Sequence, residues 1–276
     1  MTPRLPIRKT YKLFIGGSFV RSESGRYDRI EGEPSGGVNI PRGSRKDVRD
    51  AVAAARKASG GWAGRTPYNR GQILYRFAEA LESRAADIGA ERDDVEASID
   101  VLVHYAGWTD KLQPVLGGIN PVAAPFLSFS VPEPTGVVGI VAPDAPPLLG
   151  LIAELAPALA AGNTVVALLS GERPLPGLDL GEVMGIADVP GGVVNLLSGR
   201  RAELAPALAG HHALNAIVDA SGDDALGAEI DKLAAESVTR VRHTKQATSY
   251  AEATADPLSR LEGLTELKTA WHPVGA

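Results

Sequence analysis

The side chains whose types and spacing best suit chemistry are few. They are the pair His211–His212, the acidic pairs Asp93–Asp94 and Asp223–Asp224, and the alternating basic run Arg240, Arg242, His243 and Lys245. Adjacent histidines on a helix end or loop do not face one another, and no carboxylate stands at ligand spacing, so the pair reads as solvated rather than metal-binding. Each aspartate pair has the composition of acid–base partners, yet the residues around each pair read better as a helix start, where negative charge is favoured. The basic run suits an acidic partner surface and, equally, an edge strand defended by charge. No arrangement of Ser, His and an acid marks a nucleophile. The chain also has no cysteine, which removes thiolate chemistry, disulfides and cysteine-ligated zinc. From these residues the expectation is no catalytic set and no metal site.

Composition narrows the class further. The chain has 276 residues, 44% of them hydrophobic, and 28 Lys+Arg against 33 Asp+Glu give a net charge of −5. Such a balance argues against a nucleic-acid partner, which calls for a basic face. The opening residues lack an apolar run of signal-peptide length, and the apolar stretch Leu148 to Leu169 is broken by Glu154, Pro157, Gly162 and Asn163. The expectation is a soluble cytoplasmic protein with no membrane partner.

The elements that must position any site follow from periodicity. Tyr11 to Val20 reads as strand, Gly-Gly turn and strand. Ser44 with Asp47 has the form of a capping box before Val48, Ala51, Val52, Ala55 and Ala58, which share one helical face. Ile73, Leu74, Phe77 and Leu81 mark a second helix, and Val95, Ile99, Leu102, Val103 and Ala106 a third. From Val137 onward, short apolar runs at 137–141, 164–169, 193–197 and 216–218 alternate with helical patterns at 148–159, 180–186 and 202–209. That order predicts a parallel sheet covered on both faces, a doubly wound α/β domain. Ser221 to Asp224 reads as the cap of one more helix over 225–235. Two stretches stand outside this pattern: Ile119 to Val131, with Pro121 and Pro125, suits a projecting hairpin, and Ser237 to Arg260 is polar and weakly periodic, a meandering connector. Gly263 to Trp271 regains strand character, with Thr265, Leu267, Thr269 and Trp271 on one face.

Several stretches resemble the aldehyde dehydrogenase family, in order along the chain. They are Tyr11–Val20 (YKLFIGGSFV), Val48–Arg84, His104–Lys111 (HYAGWTDK), Glu133–Pro143 (EPTGVVGIVAP), Leu155–Val166 (LAPALAAGNTVV), Pro190–Gly199 (PGGVVNLLSG) and the ending Leu264–Trp271 (LTELKTAW). The resemblance implies a Rossmann-like parallel sheet of the family's cofactor domain (residues 1–118 and 132–250). A β oligomerisation element, residues 119–131 with the strand in 261–276, projects from it, and residues 237–260 stand as a connector where the family carries its catalytic domain.

The resemblance also shows which letters differ. Where the family has Pro-Trp-Asn, with the asparagine amide stabilising an oxyanion, this chain has Pro143-Asp144-Ala145; removal of one such donor typically costs about 10²–10³ in rate. Where the family grips the adenosine ribose with Lys-Pro-x-Glu, this chain has Leu168-Leu169-Ser170-Gly171, with Glu172 one position late. Its Thr-Gly-Ser turn, which approaches a pyrophosphate, is matched by Asp219-Ala220-Ser221, leaving Ser221 and the Gly222 amide as vestigial cofactor contacts. Together these imply a catalytically inactive paralogue without a bound cofactor. It is expected to act as a structural or regulatory subunit that assembles with a full-length aldehyde dehydrogenase or with itself. The alternatives are a weak sensor of NAD(P) or another adenine nucleotide and, last, an aldehyde oxidoreductase.

Overall fold

Strands whose side chains alternate between two buried faces divide the core of this chain into two layers. A computed structural model describes residues 9–30 and 37–274, so residues 1–8 and 31–36 of the segment 1–118, and 275–276 of the tail, lie outside the described residues. The chain opens with β1 (Leu13–Ile15) and β2 (Ser18–Val20), then the ribbon β3 (Tyr27–Ile30) and β4 (Val38–Pro41). Four helices follow: α1 (Arg45–Ala63), α2 (Pro67–Ser83), α3 (Arg92–Ala106) and the short α4 (Leu112–Leu116). After β5 (Gly118–Asn120) and β6 (Phe126–Pro134) comes the alternating part. It runs β7 (Val137–Val141), α5 (Leu149–Ala160), β8 (Thr164–Leu168), α6 (Leu175–Ile186), β9 (Val194–Leu197), α7 (Arg201–Ala209), β10 (Ala216–Asp219) and α8 (Asp224–Ser237). The last elements are β11 (Arg240–His243), α9 (Tyr250–Ala253), α10 (Pro257–Glu262) and β12 (Thr265–Pro273).

The main sheet has the order β11-β10-β7-β8-β9-β1-β2. Strands β7 to β11 are mutually parallel, and β1 closes the far side antiparallel to β9. Period-2 alternation sends Val138, Ile140, Val165, Ala167, Val194 and Leu196 into the layer shared with α2, α3, α5 and α6. Val137, Val141, Val166, Leu168, Leu197 and Ile217 enter the other layer, with α1, α7 and α8. All twelve residues of α5 are buried, so the apolar run at 148–159 is a core helix. No helix among the described residues is long and apolar enough to cross a membrane.

Local chemistry explains the joints. Ser44 caps α1 as its spacing predicts: the Asp47 amide donates to Ser44 Oγ at 3.3 Å and the Ser44 amide to Asp47 Oδ2 at 2.8 Å. Asn163, fully buried, accepts from the Gly136 amide at 2.8 Å and donates to the Leu264 carbonyl at 2.9 Å, tying the entries of β7 and β12 together. Gly17 and Gly191 meet where β1 approaches the turn before β9; a Cβ on Gly17 would stand 2.6 Å from the Gly191 Cα. Asn195 locks the same joint by accepting from the Gly16 amide at 2.9 Å.

Two expectations change. The cap of α8 is Asp223 rather than Ser221, because the Asp223 carboxylate reaches the Ala225 and Leu226 amides at 3.0 and 3.1 Å. The stretch Ser237–Arg260 is not a meander: it holds β11, a parallel strand of the sheet, then α9 and the start of α10. An edge strand has one neighbour and one wet side, so its alternating Arg and Val letters lack the apolar run of the inner strands. Beyond the main sheet, β12, β6 and β5 form a separate three-stranded arm, with β12 paired to β6 over nine residues from Thr265↔Pro134 to Pro273↔Phe126.

Candidate functional site

In an open parallel sheet the ligand crevice lies outside the carboxyl ends of the strands where the strand order reverses. Here that point falls between β7 and β10, whose ends are followed by Ala142-Pro143-Asp144 and Ala220-Ser221-Gly222. The β7 side is organised around Asp144. Its Oδ1 accepts from Ser170 Oγ at 3.0 Å, the Gly171 amide at 2.8 Å and the Glu172 amide at 3.3 Å. Its Oδ2 accepts from an Arg201 guanidinium nitrogen at 2.8 Å, and the other end of that guanidinium donates to the Ala142 carbonyl. Partial burial pushes the Asp144 carboxyl up, but Arg201 and these donors outweigh it and hold the group below the usual carboxylate range. Leu168 adjoins this cluster through its carbonyl, which accepts from the Ala142 amide at 2.9 Å. It is buried in the layer with Val48, Val166 and Leu204.

On the β10 side, Asp219, Gly222, Asp223, Asp224, Asp231, His243 and Thr244 line a cleft of about 340 Å³. Ser221, expected as a phosphate contact, gives its amide to Asp219 Oδ1 at 3.0 Å, and its Oγ accepts from the Asp223 amide at 3.3 Å. Gly222 has φ +71° and faces open space. His243 bridges two carboxylates, with Nδ1 3.2 Å from Asp219 and Nε2 2.9 Å from Asp231. The bond to Asp231, then the charges of both aspartates, raise its pKa against the effect of burial. With both ring nitrogens engaged, the imidazole works as a clamp between β11 and α8.

The remaining candidates are structural. Asp94 is buried at the start of α3, and its carboxylate accepts from the Leu148 and Leu149 amides, at 3.2 and 2.6 Å, at the N-terminus of α5. Its partner Asp93 is exposed in the same first turn. His211 Nδ1 accepts from the Ala213 amide at 3.2 Å while His212 is exposed. Arg240 pairs with Glu266 at 2.7 Å and Arg242 donates to the Ser259 and Arg260 carbonyls at the end of α10. Among the described residues no three His, Asp or Glu side chains are placed to hold a metal. The Asp94 and Asp144 contacts have no local signal in the sequence, because each bridges elements tens of residues apart.

This architecture, a doubly wound sheet with a separate β arm, is that of the aldehyde dehydrogenase cofactor region. The aldehyde dehydrogenase family model matches residues 21–244, and the chain belongs to that family. It is 34% identical over 243 residues to an aldehyde dehydrogenase of Aspergillus niger, covering 82% of this chain and 48% of that protein. It is 36% identical over 232 residues to the cytosolic 10-formyltetrahydrofolate dehydrogenase of Xenopus tropicalis, covering 76% of this chain and 25% of that one. Among solved structures, the NAD+ complex of a Bacillus cereus aldehyde dehydrogenase superposes with a TM-score of 0.78 at 29% identity, over 85% of this chain and 50% of the other. The chain thus spans about half or less of the length of these relatives.

The crevice is where a dinucleotide's pyrophosphate lies in this kind of fold. A pyrophosphate needs free N–H donors and positive potential. The Gly171, Glu172, Ser221, Ala225 and Leu226 amides already donate to internal carboxylates.

Proposed function

We propose that this chain is a non-catalytic member of the aldehyde dehydrogenase family that serves as an assembly subunit, docking through its β arm onto a full-length aldehyde dehydrogenase or onto a second copy. The observation that carries this reading is the arm itself. It is a three-stranded sheet whose strands leave large apolar side chains in water: Ile119, Leu267 and Trp271 are 75%, 57% and 60% exposed, and Phe126, Leu127 and Val274 are exposed beside them. Such a contiguous apolar patch marks an interaction surface. Directly opposed residues share a face, so Phe126, Leu267 and Trp271 lie on one side of the arm and Ile119, Leu127, Phe129 and Val131 on the other. The body also exposes Tyr68, Tyr75 and Val103 along one groove, but elsewhere it covers its own core. The face of α3 and α5 is packed by the chain's own α9 and α10, with Ala247, Ala253 and Leu261 buried in the same core.

Loss of chemistry is supported by the side chains present. The chain has no cysteine for a thiohemiacetal, and Asp144 stands beside the crevice with its charge held by Arg201. The test is the native mass of the chain alone and after co-expression with a full-length dehydrogenase, together with an aldehyde-oxidation assay. A defined complex and no NAD(P)-dependent turnover are expected. A monodisperse monomer that ignores dehydrogenases, or turnover by the isolated chain, overturns the reading.

A further inference from the structure

We infer that the crevice at the switch point is occupied by the chain's own carboxylates, Asp94, Asp144 and Asp223, and is closed to dinucleotides. Ligand anions in such sheets are held by main-chain N–H groups in the turns and helix starts after the strands, and here seven of those amides donate to the chain's own carboxylates. The turn after β7 contains Pro143, Pro146 and Pro147, which have no N–H. The next two amides, Leu148 and Leu149 at the start of α5, donate to Asp94 at 3.2 and 2.6 Å. After β8, the Gly171 and Glu172 amides and the Ser170 hydroxyl converge on Asp144 Oδ1. After β10, the Ser221 amide donates to Asp219 and the Ala225 and Leu226 amides of α8 to Asp223.

The Asp144 site has the donor set an enzyme offers a ligand carboxylate or phosphate: two amides, a hydroxyl and a guanidinium. The ligand is simply part of the chain. Arg201 is engaged in the same way, one terminal nitrogen on Asp144 at 2.8 Å and the other on the Ala142 carbonyl, while its buried Nε has no partner. An incoming pyrophosphate would have to displace these carboxylates and then sit beside them, with Asp219 and Asp224 close by on the β10 side. Like charges at that range oppose both steps. The Asp144 bridge instead fastens the end of β7 to the segment after β8 and to Arg201 of α7 without a ligand, so folding and assembly do not depend on nucleotide.

The test separates this inference from the assembly reading, because nucleotide binding and native mass are independent readouts. The full chain is titrated with NAD+, NADP+ and ADP to about 5 mM by calorimetry and thermal shift, since any ligand bound by the native state raises Tm. No saturable heat and a Tm unmoved within roughly 1 °C are expected; saturable binding overturns the inference. In a second arm, the double variant Asp144→Asn, Asp223→Ser keeps acceptor oxygens at both places but removes the charges and releases Arg201. ADP is expected to raise its Tm, and a variant that folds yet ignores ADP overturns the assignment to the carboxylates. Hydrogen exchange on the unmodified chain adds a readout that needs no variant. The Gly171, Glu172, Ala225 and Leu226 amides are expected to exchange slowly and to be unchanged by NAD+; fast exchange at these amides contradicts the bridges.

Discussion

At the residue scale, Asp144 carries the clearest electrostatic consequence. Its carboxyl is held below the ordinary value of about 3.9 by Arg201 and its donors. A depressed carboxylate contributes stability above its unfolded pKa and loses it as pH falls through the folded value. The denaturant midpoint of Asp144→Asn is therefore expected below that of the parent at pH 7, with the gap closing as pH falls below about 4. Chemical denaturation at a series of pH values checks this; a gap that persists undiminished at low pH assigns the effect to lost geometry rather than charge. The position was legible in the sequence as a changed letter, but its role was not. Asp144 reads locally as a negative charge thrust toward a reaction centre, and only the tertiary approach of Arg201 and the Gly171 and Glu172 amides shows a neutralised bridge. The misplaced cap on α8 has a simpler cause. Ser221 and Asp223 are both good capping types two residues apart, and the turn through Gly222 puts Asp223 on the free amides.

At the element scale, the inner strands were legible because buried parallel strands read as continuous apolar runs, whereas β11 was legible only as one of two readings of the basic run, the edge strand defended by charge, because its letters Arg240, Val241, Arg242 and His243 lack an apolar run. The short helices α9 and α10 were hidden for a related reason: four and six residues are too few for a period to emerge. Their docking is nevertheless built of buried polar contacts. Arg260 pairs with Glu154 at 2.7 Å, with side chains 12% and 4% exposed, and the Tyr105 hydroxyl donates to the Ala253 carbonyl at 3.2 Å. Truncating one partner of a buried ion pair strands the other, so Arg260→Met is expected to cost about 3–5 kcal/mol, and the double change Glu154→Leu, Arg260→Met to recover most of it. Equilibrium unfolding of the parent and the two variants decides this; equal losses in single and double variants would mean that packing, not charge, holds α10. Burial raises the Tyr105 hydroxyl to about 12. Its contribution is thus present below the unfolded tyrosine value of about 10 and is lost as pH rises toward 12. Tyr105 is expected to ionise late in an absorbance titration, together with release of α9. Replacement of Tyr105 by Phe should remove that late step.

At the scale of the whole molecule, a closed two-layer body and an open arm divide the labour. The body covers its own helices: α5 is buried throughout, and the segment between β11 and β12 lies against α3 and α5. Six exposed large apolar side chains, Ile119, Phe126, Leu127, Leu267, Trp271 and Val274, gather on or just beyond β5, β6 and β12, where Trp271 packs edge-on against Phe126 with ring centroids 6.0 Å apart and Leu267 stands on the same face. β12 is also an edge, nine residues long, with Lys268 and His272 as its cationic or titratable guards. An interface burying about 800 Å² on each partner is within reach of such an element. If the arm is the assembly surface, Leu267→Glu with Trp271→Glu should dissociate the complex while leaving the fold intact, because both side chains are solvent-exposed in the isolated chain and such surface changes typically alter stability by no more than about 0.5 kcal/mol. Sedimentation equilibrium gives the mass and circular dichroism the fold. A variant that keeps the parent's mass across the micromolar range with an unchanged spectrum places the interface elsewhere, and one that unfolds shows that the arm supports the body through α4 and α10 rather than a partner. The expected result is a folded monomer. Ile119→Glu, on the opposite face of the same sheet, then reports which side of the arm meets the partner: loss of the complex in both variants means the arm is embraced on both faces, and loss in one alone assigns a single face.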